Sequence, residues 1–190
     1  MRPLSPGSVA KSLAQVCISR EFRLLAANQS SPIVDWLRAL ARHAHKECGG
    51  PGVGAIGMCL TGNFALAMML DAPVIAPVLS QPSLPGGFTR AQRSALHASP
   101  QEIAAAHEKI DQQGARILGL RFTGDPMCRG ERFARLREEF GVAFEGIEIP
   151  SKFANPKAPK PAHSVVTTHL IDEAGQPTRA ALDRVLAFFK

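Results

Sequence analysis

Apolar residues occur in short runs along the chain, and polar or Gly/Pro-rich breaks separate them. Four runs are six or seven residues long and bounded by turn residues, which is typical of strands buried in a sheet. Elsewhere the apolar positions repeat every three or four residues, as on the buried side of an amphipathic helix. The pattern therefore predicts strands at residues 53–58, 74–79, 116–122 and 143–149.

Helices are predicted between these strands and at both ends of the chain. Ser99 and Glu102 form a capping-box pattern, so a helix should begin there and run to Gly114. Other helices are predicted at 8–18, from 33 to the Gly-rich break at 49–52, at 62–70, at 129–140 and from 178 to 189, whereas 17–22 is interpreted as extended. Strands that alternate with helices predict a parallel sheet with helices on both faces.

The stretch 53–70, VGAIGMCLTGNFALAMML, predicts a strand, a tight turn and a helix in succession. Cys59 lies in the turn, where a nucleophile would project from the carboxyl end of the strand. The backbone N–H of Leu60 would then lie at a helix N-terminus and could stabilise an oxyanion. Most free cysteines are simply small buried residues, which is the alternative for Cys59. The strand-turn-helix context favours the nucleophile.

The turn sequence GMCLTG resembles the nucleophile elbow of the α/β-hydrolase superfamily in its cysteine form, and in particular the G-x-C-x-G-G elbow of the dienelactone hydrolase family. The chain differs at Thr61, where that family has glycine, so a Cβ atom and a hydroxyl must find room. The resemblance implies an α/β fold, an α/β-hydrolase-like three-layer sandwich with a mostly parallel sheet. It covers roughly the carboxyl-terminal two-thirds of such a domain, because the family's first strands have no counterpart here.

Two further residues match the family's triad in the chain order nucleophile, acid, histidine. Asp125 follows the third predicted strand, and His163 lies in the loop after the fourth, next to Ser164. The resemblance implies that His163 takes the thiol proton while Asp125 orients the imidazole. Taken separately, Asp125 suits a simple turn, His163 suits an exposed loop, and His169 is a rival histidine. Their joint order after Cys59 favours a Cys-His-Asp triad.

The resemblance implies a hydrolase of small carboxylic esters or lactones that uses no metal or organic cofactor. Thr167 stands where the family has its substrate-carboxylate arginine, so the substrate itself is left open. Arg20, Arg23 and Ser164 are the candidates for substrate binding. The alternative is a catalytically weak or inactive remnant of the fold that binds a partner or associates with itself.

The segment before Val53 predicts helices rather than the strands that normally flank an elbow strand. The elbow strand should therefore have an unpaired edge, which favours a homodimer. It should also lack the second oxyanion donor, a loss that typically costs about 100- to 1000-fold in rate. We expect an N-terminally truncated hydrolase fold, whose reading frame continues upstream of Met1 and encodes the missing strands.

The length, the charge and the apolar stretches of the chain bear on its domain number and on its partners. A chain of 190 residues suits one well-packed domain, 1–190. The net charge is +6, but the basic residues are scattered and not interleaved with aromatic residues, so we expect no nucleic-acid partner. The longest apolar stretch is interrupted by Thr61 and Asn63 and ends at Asp71, so we expect no membrane partner either.

The four cysteines bear on the location of the protein and on metal binding. The N-terminal segment has no apolar signal core, so we expect a cytoplasmic protein whose cysteines are free thiols. His43, His45 and Cys48 lie close together in sequence, but positions 43 and 45 point to different faces of a helix. No tetrahedral metal site is therefore predicted there.

Overall fold

The computed structural model describes residues 20–71, 73–84 and 89–190, which form an α/β fold. The α-helices within these ranges are α1 (Arg20–Ala26), α2 (Pro32–Cys48), α3 (Gly62–Ala67), α4 (Arg90–Ser94), α5 (Pro100–Gln113), α6 (Gly130–Phe140) and α7 (Pro177–Phe188). The strands are β1 (Val53–Met58), β2 (Val74–Ser80), β3 (Ile117–Phe122) and β4 (Phe144–Ile149). The four predicted strands are thus confirmed to within one residue at each end. The helix predicted at 8–18 lies outside the described residues.

The sheet is entirely parallel and has the order β1-β2-β3-β4. Met58 at the end of β1 pairs with Ser80 at the end of β2. Phe122 at the end of β3 pairs with Ile149 at the end of β4. Because all four strands run in the same direction, the loops that follow them meet at one edge of the sheet. Ligand sites of open parallel sheets lie at this carboxyl edge.

Neighbouring residues of the strands pack on opposite faces of the sheet. Leu79 and Ile117 belong to a core cluster that includes Leu136 of α6. Val78 and Leu118 belong to a second cluster with Val185 of α7. Helices therefore cover both faces, as the alternating pattern predicted, and the arrangement is compatible with a three-layer α/β fold.

A third cluster joins the first helices to β1 and α3. Leu25 of α1 packs there with Val34 of α2 and Phe64 of α3. The interpretation of 17–22 as extended is wrong where the structure describes it, because α1 begins at Arg20. The burial of Leu25, which is only 1% exposed, gives the short α1 the tertiary contact that a helix of its length needs in water.

No helix in the described part of the chain combines the length and the apolar composition needed to cross a bilayer.

Candidate active site

The turn after β1 holds Cys59 in an unusual backbone conformation. Its φ angle is +55°, in the left-handed region that non-glycine residues rarely adopt. A single 3₁₀ turn, Cys59–Thr61, links β1 to α3. The tightness of the turn depends on Gly57, since a Cβ atom there would lie 2.1 Å from the carbonyl oxygen of Thr61. The predicted sharp strand-to-helix turn is present, with Cys59 at the carboxyl end of β1.

Thr61 has room because its side chain is exposed. Its hydroxyl donates to the carbonyl oxygen of Met58 at 2.8 Å and accepts from the backbone N–H of Met58 at 3.0 Å. The threonine thus closes the turn from outside. The close approach of backbone to backbone occurs one residue later, where a Cβ atom on Gly62 would lie 2.9 Å from the Cα atom of Pro82.

His163 and Asp125 form a buried hydrogen-bonded pair. Nδ1 of His163 lies 2.6 Å from Oδ2 of Asp125. The other carboxylate oxygen, Oδ1, accepts the backbone N–H of Met127 at 2.9 Å, which fixes the orientation of the carboxylate. Because a carboxylate accepts, Nδ1 carries the proton and Nε2 is left available. Nε2 is buried and has no hydrogen-bond partner among the described residues.

Cys59 and His163 change each other's pKa. Burial alone would raise the pKa of the Cys59 thiol, but the nearby His163, whose charge favours the thiolate, and the hydrogen bond with Ser83 outweigh burial and lower it. Burial alone would lower the pKa of His163, but Asp125 and Cys59 raise it to about 9. Both shifts favour a thiolate paired with an imidazolium over two neutral groups. Since Nδ1 faces Asp125, Nε2 is the nitrogen left for this interaction.

Leu60 lies at the thiol, as the elbow pattern predicts. Its backbone N–H donates a hydrogen bond to the sulfur of Cys59, and this bond also lowers the pKa of the thiol. When the sulfur attacks a carbonyl carbon, the carbonyl oxygen gains negative charge close to that sulfur. A donor that already stabilises charge on the sulfur therefore lies close to this oxygen. The role of Leu60 as an oxyanion donor stays a prediction.

Ser83 also contacts the candidate nucleophile, and the sequence analysis did not single it out. Its Oγ atom lies 3.3 Å from Sγ of Cys59. Ser83 follows β2, and loops at the carboxyl end of a parallel strand are the usual source of site residues. This position after β2 was the one feature of the sequence that could have indicated Ser83. Every polar residue of the loop shares it, so it does not single out Ser83.

His169 has a structural role beside the site. It is buried, its Nδ1 atom accepts the backbone N–H of Ser164 at 3.2 Å, and its Nε2 atom lies 2.7 Å from the carbonyl oxygen of Pro159. Both ring nitrogens are therefore occupied by the loop that carries His163. This leaves His163, and not His169, as the histidine paired with Asp125.

The predicted substrate-binding residues are placed unequally. Ser164 adjoins His163 and is half-buried, whereas Arg20 and Arg23 are exposed on α1. No hydrogen bond or ion pair within the described residues joins either arginine to Cys59 or His163. Their involvement stays a prediction.

The remaining thiols differ in exposure. Cys128 is buried, and burial raises its pKa to about 12, so it stays protonated. Cys48 is exposed at the end of α2, and Cys17 lies outside the described residues.

His45 lies near Cys48, and its Nε2 atom is 3.0 Å from the carbonyl oxygen of Gly50, just after the same helix. The described side chains contain no group of three or more His, Cys, Asp or Glu arranged to hold a metal ion.

The site thus combines a thiol with a lowered pKa, a histidine and an orienting carboxylate at the carboxyl edge of a parallel sheet. This arrangement can generate a nucleophile and exchange a proton with it. No protein-family model matches the chain, and no curated protein matches it.

Proposed function

We propose that the chain is a cysteine-dependent hydrolase of small carboxylic esters or lactones, with an α/β-hydrolase-like fold similar to that of dienelactone hydrolases. The observation that supports this most directly is the 2.6 Å contact between Asp125 and His163, which leaves the second imidazole nitrogen for Cys59. The positive φ of Cys59 adds to it, because strained backbone concentrates at functional sites.

The first half of the reaction forms a thioester. The Cys59 thiolate attacks the carbonyl carbon, a C–S bond forms, and the π electrons move to the carbonyl oxygen, where the N–H of Leu60 stabilises them. The tetrahedral intermediate then collapses and the C–O bond to the alcohol breaks. The departing alkoxide takes the proton from Nε2 of His163. Asp125 keeps the imidazole in the tautomer that holds its other proton on Nδ1.

The second half restores the enzyme. Nε2 of His163, now neutral, takes a proton from a water molecule, whose oxygen attacks the thioester carbon. The C–S bond breaks and the sulfur leaves as thiolate, again beside an imidazolium. The products are one carboxylic acid and one alcohol, or a single hydroxy acid where the substrate is a lactone. Neither a metal nor an organic cofactor takes part in these steps.

A small aryl ester and a thiol-selective alkylating label test the proposal together. The ester should protect Cys59 from the label, and Cys59→Ala should abolish ester hydrolysis above the background rate. Cys48→Ala is the matched control, because it removes an exposed thiol outside the site. Labelling of Cys59 that the ester does not slow, with unchanged hydrolysis by Cys59→Ala, would overturn the proposal.

A second candidate function, self-association, is favoured by the outer edge of β1. Within residues 20–71, 73–84 and 89–190, no strand pairs with that edge. Beside it lies an open groove of about 540 Å³, lined mainly by apolar side chains of α2, β1 and α3. Ile56 and Leu40, which line this groove, are 39% and 47% exposed.

The occupant proposed for this edge is a second copy of the chain. A two-fold axis would pair β1 with its equivalent, because such an interface is self-complementary. Sedimentation at increasing concentration should show a dimer that Ile56→Lys dissociates. A monomer at every concentration would refute this candidate without affecting the hydrolase proposal.

A further inference from the structure

Ser83 is tied to the elbow through its side chain and its backbone. Its hydroxyl contacts Sγ of Cys59 at 3.3 Å, and its backbone N–H donates to the carbonyl oxygen of Cys59 at 3.1 Å. Ser83 is only 2% exposed. A thiolate can only accept a hydrogen bond, so the hydroxyl of Ser83 is the donor whenever Cys59 is ionised.

A single side-chain amide holds the loop of Ser83 against the elbow turn. Nδ2 of Asn63 donates to the carbonyl oxygen of Leu60 at 2.9 Å and to that of Ser83 at 3.1 Å. Asn63 is 1% exposed and belongs to α3. The two contacts fix the distance between the turn that carries Cys59 and the loop that carries the hydroxyl.

Arg132 of α6 fixes the orientation of that amide. Its guanidinium donates to Oδ1 of Asn63 at 2.7 Å and lies 2.6 Å from Nε2 of His97. A guanidinium can only donate, so Nε2 of His97 accepts, and Nδ1–H of His97 donates to the carbonyl oxygen of Leu25 at 2.9 Å. His97 is therefore neutral. Burial and the charge of Arg132 lower the pKa of His97 to about 3, in agreement with this tautomer.

The charge of Arg132 is buried without a carboxylate beside it in the described part of the chain. The residue is 5% exposed, and burial lowers its pKa to about 10. Burying a charge that has no ionic partner is costly unless its donors are satisfied. Here an amide oxygen and an imidazole nitrogen each accept one of its N–H groups, and the amide, Asn63, is the partner that contacts the elbow turn. His97 adds strain, because its φ angle is +55°.

We propose that Ser83 is a further catalytic residue, whose hydroxyl donates a hydrogen bond to the Cys59 thiolate, and that Asn63 and Arg132 are positioning residues that hold Ser83 in place. The role rests on the proposed hydrolase function. During attack the negative charge leaves sulfur for the substrate oxygen, and it returns to sulfur when the thioester is hydrolysed. The hydroxyl of Ser83 stabilises the thiolate before the first step. It stabilises the thiolate again in the second step, in which the thiolate is the leaving group.

The inference predicts a change in the pH dependence of Cys59 alkylation. A hydrogen bond to a charged group is typically strong enough to shift the acid limb of that profile by about one pH unit, a tenfold change in thiolate population at a given pH. Ser83→Ala should shift the acid limb upward by that amount. Ser94→Ala is the matched control, because the hydroxyl of Ser94 donates only within α4, to the carbonyl oxygen of Ala91.

The experiment measures alkylation of the full chain by iodoacetamide against pH, with Cys59 followed by mass spectrometry of its peptide. Asn63→Ala should shift the acid limb in the same direction as Ser83→Ala, and it replaces that variant if Ser83→Ala does not fold. An unchanged acid limb in the folded variant would overturn the inference. The readout needs no ester, so an upward shift without any ester hydrolysis would refute the hydrolase proposal and leave the Ser83–thiolate contact standing.

Discussion

The Nδ1 atom of His163 lies 2.6 Å from Oδ2 of Asp125, although a helix and a strand separate the two residues in the chain. The pair exists because β3 and β4 are parallel neighbours, so the loops that follow them emerge at the same edge of the sheet. β1 ends at that edge too, and Cys59 follows it directly. The geometry of the proposed triad thus follows from the topology of the sheet.

Asp125→Asn tests the orienting role of the carboxylate. The amide would let the imidazole adopt the wrong tautomer, and we expect kcat for ester hydrolysis to fall by about 10³- to 10⁴-fold, as in other triads. Asp111→Asn on the exposed part of α5 is the control and should leave kcat unchanged. A fall of less than tenfold in a folded Asp125→Asn variant would argue against this role.

The pH dependence follows from the two opposite shifts. Cys59 should ionise below the ordinary thiol pKa, and His163 should keep its proton up to about pH 9. Hydrolysis should therefore rise along an acid limb set by Cys59 and fall as the pH passes about 9, where the proton for the leaving group is lost. The measurement is kcat/KM against pH.

Cys59→Ala should lower the pKa of His163, because the thiol is one of the groups that raise it. Asp125 still raises that pKa in the variant, so only part of the shift should disappear. Titration of the His163 ring by NMR provides the measurement. An unchanged pKa of His163 would show that the two groups do not interact.

Gly57→Ala tests the tight turn. The added Cβ atom would lie 2.1 Å from the carbonyl oxygen of Thr61, so the backbone must shift. We expect the free energy of unfolding to fall by about 1–3 kcal/mol, the usual cost of overpacking. At Gly130 the nearest atom to a new Cβ is 3.6 Å away, on a flexible arginine side chain, so Gly130→Ala should be tolerated. Equal melting curves for the two variants would contradict the account.

The predicted substrate-binding role of Arg20 and Arg23 can be tested with two esters. Replacing both by alanine should raise KM for an ester that carries a carboxylate and leave KM for a neutral ester unchanged. The reason is that exposed guanidinium groups can pair with an anionic substrate but contribute little to neutral ones. Equal KM values for the carboxylate ester in both proteins would remove these residues from the site.

The sequence predicted the sheet well because its strands are short apolar runs with clear ends. β1 has the predicted bounds, and α5 begins with the capping box that Ser99 and Glu102 indicated. Asp125 and His163 could be proposed because the resemblance to dienelactone hydrolases implies an acid and then a histidine after the later strands. Local patterns thus predicted the strands and the helix start, and the resemblance supplied the two candidate site residues.

The rest of the site depends on contacts between residues that are distant in sequence. By pattern these are ordinary polar residues of helices and loops, and only the contacts of Arg132 in α6 with Asn63 and His97 bring the three together. α4 was not predicted either, because a helix of five residues is too short to show a helical repeat of apolar positions. The capping box of Thr89 and Gln92 marks its start in the structure.

The central claim, that Cys59 is an acylated nucleophile, is tested most directly by trapping the intermediate. The protein is mixed with p-nitrophenyl acetate, quenched in acid within the first turnover, digested and analysed by mass spectrometry. We predict one acetyl group on the peptide that contains Cys59, its loss on longer incubation, and its absence in Cys59→Ala. Acetyl groups on Cys48 or lysine side chains alone, with ester hydrolysis unchanged in Cys59→Ala, would contradict the account.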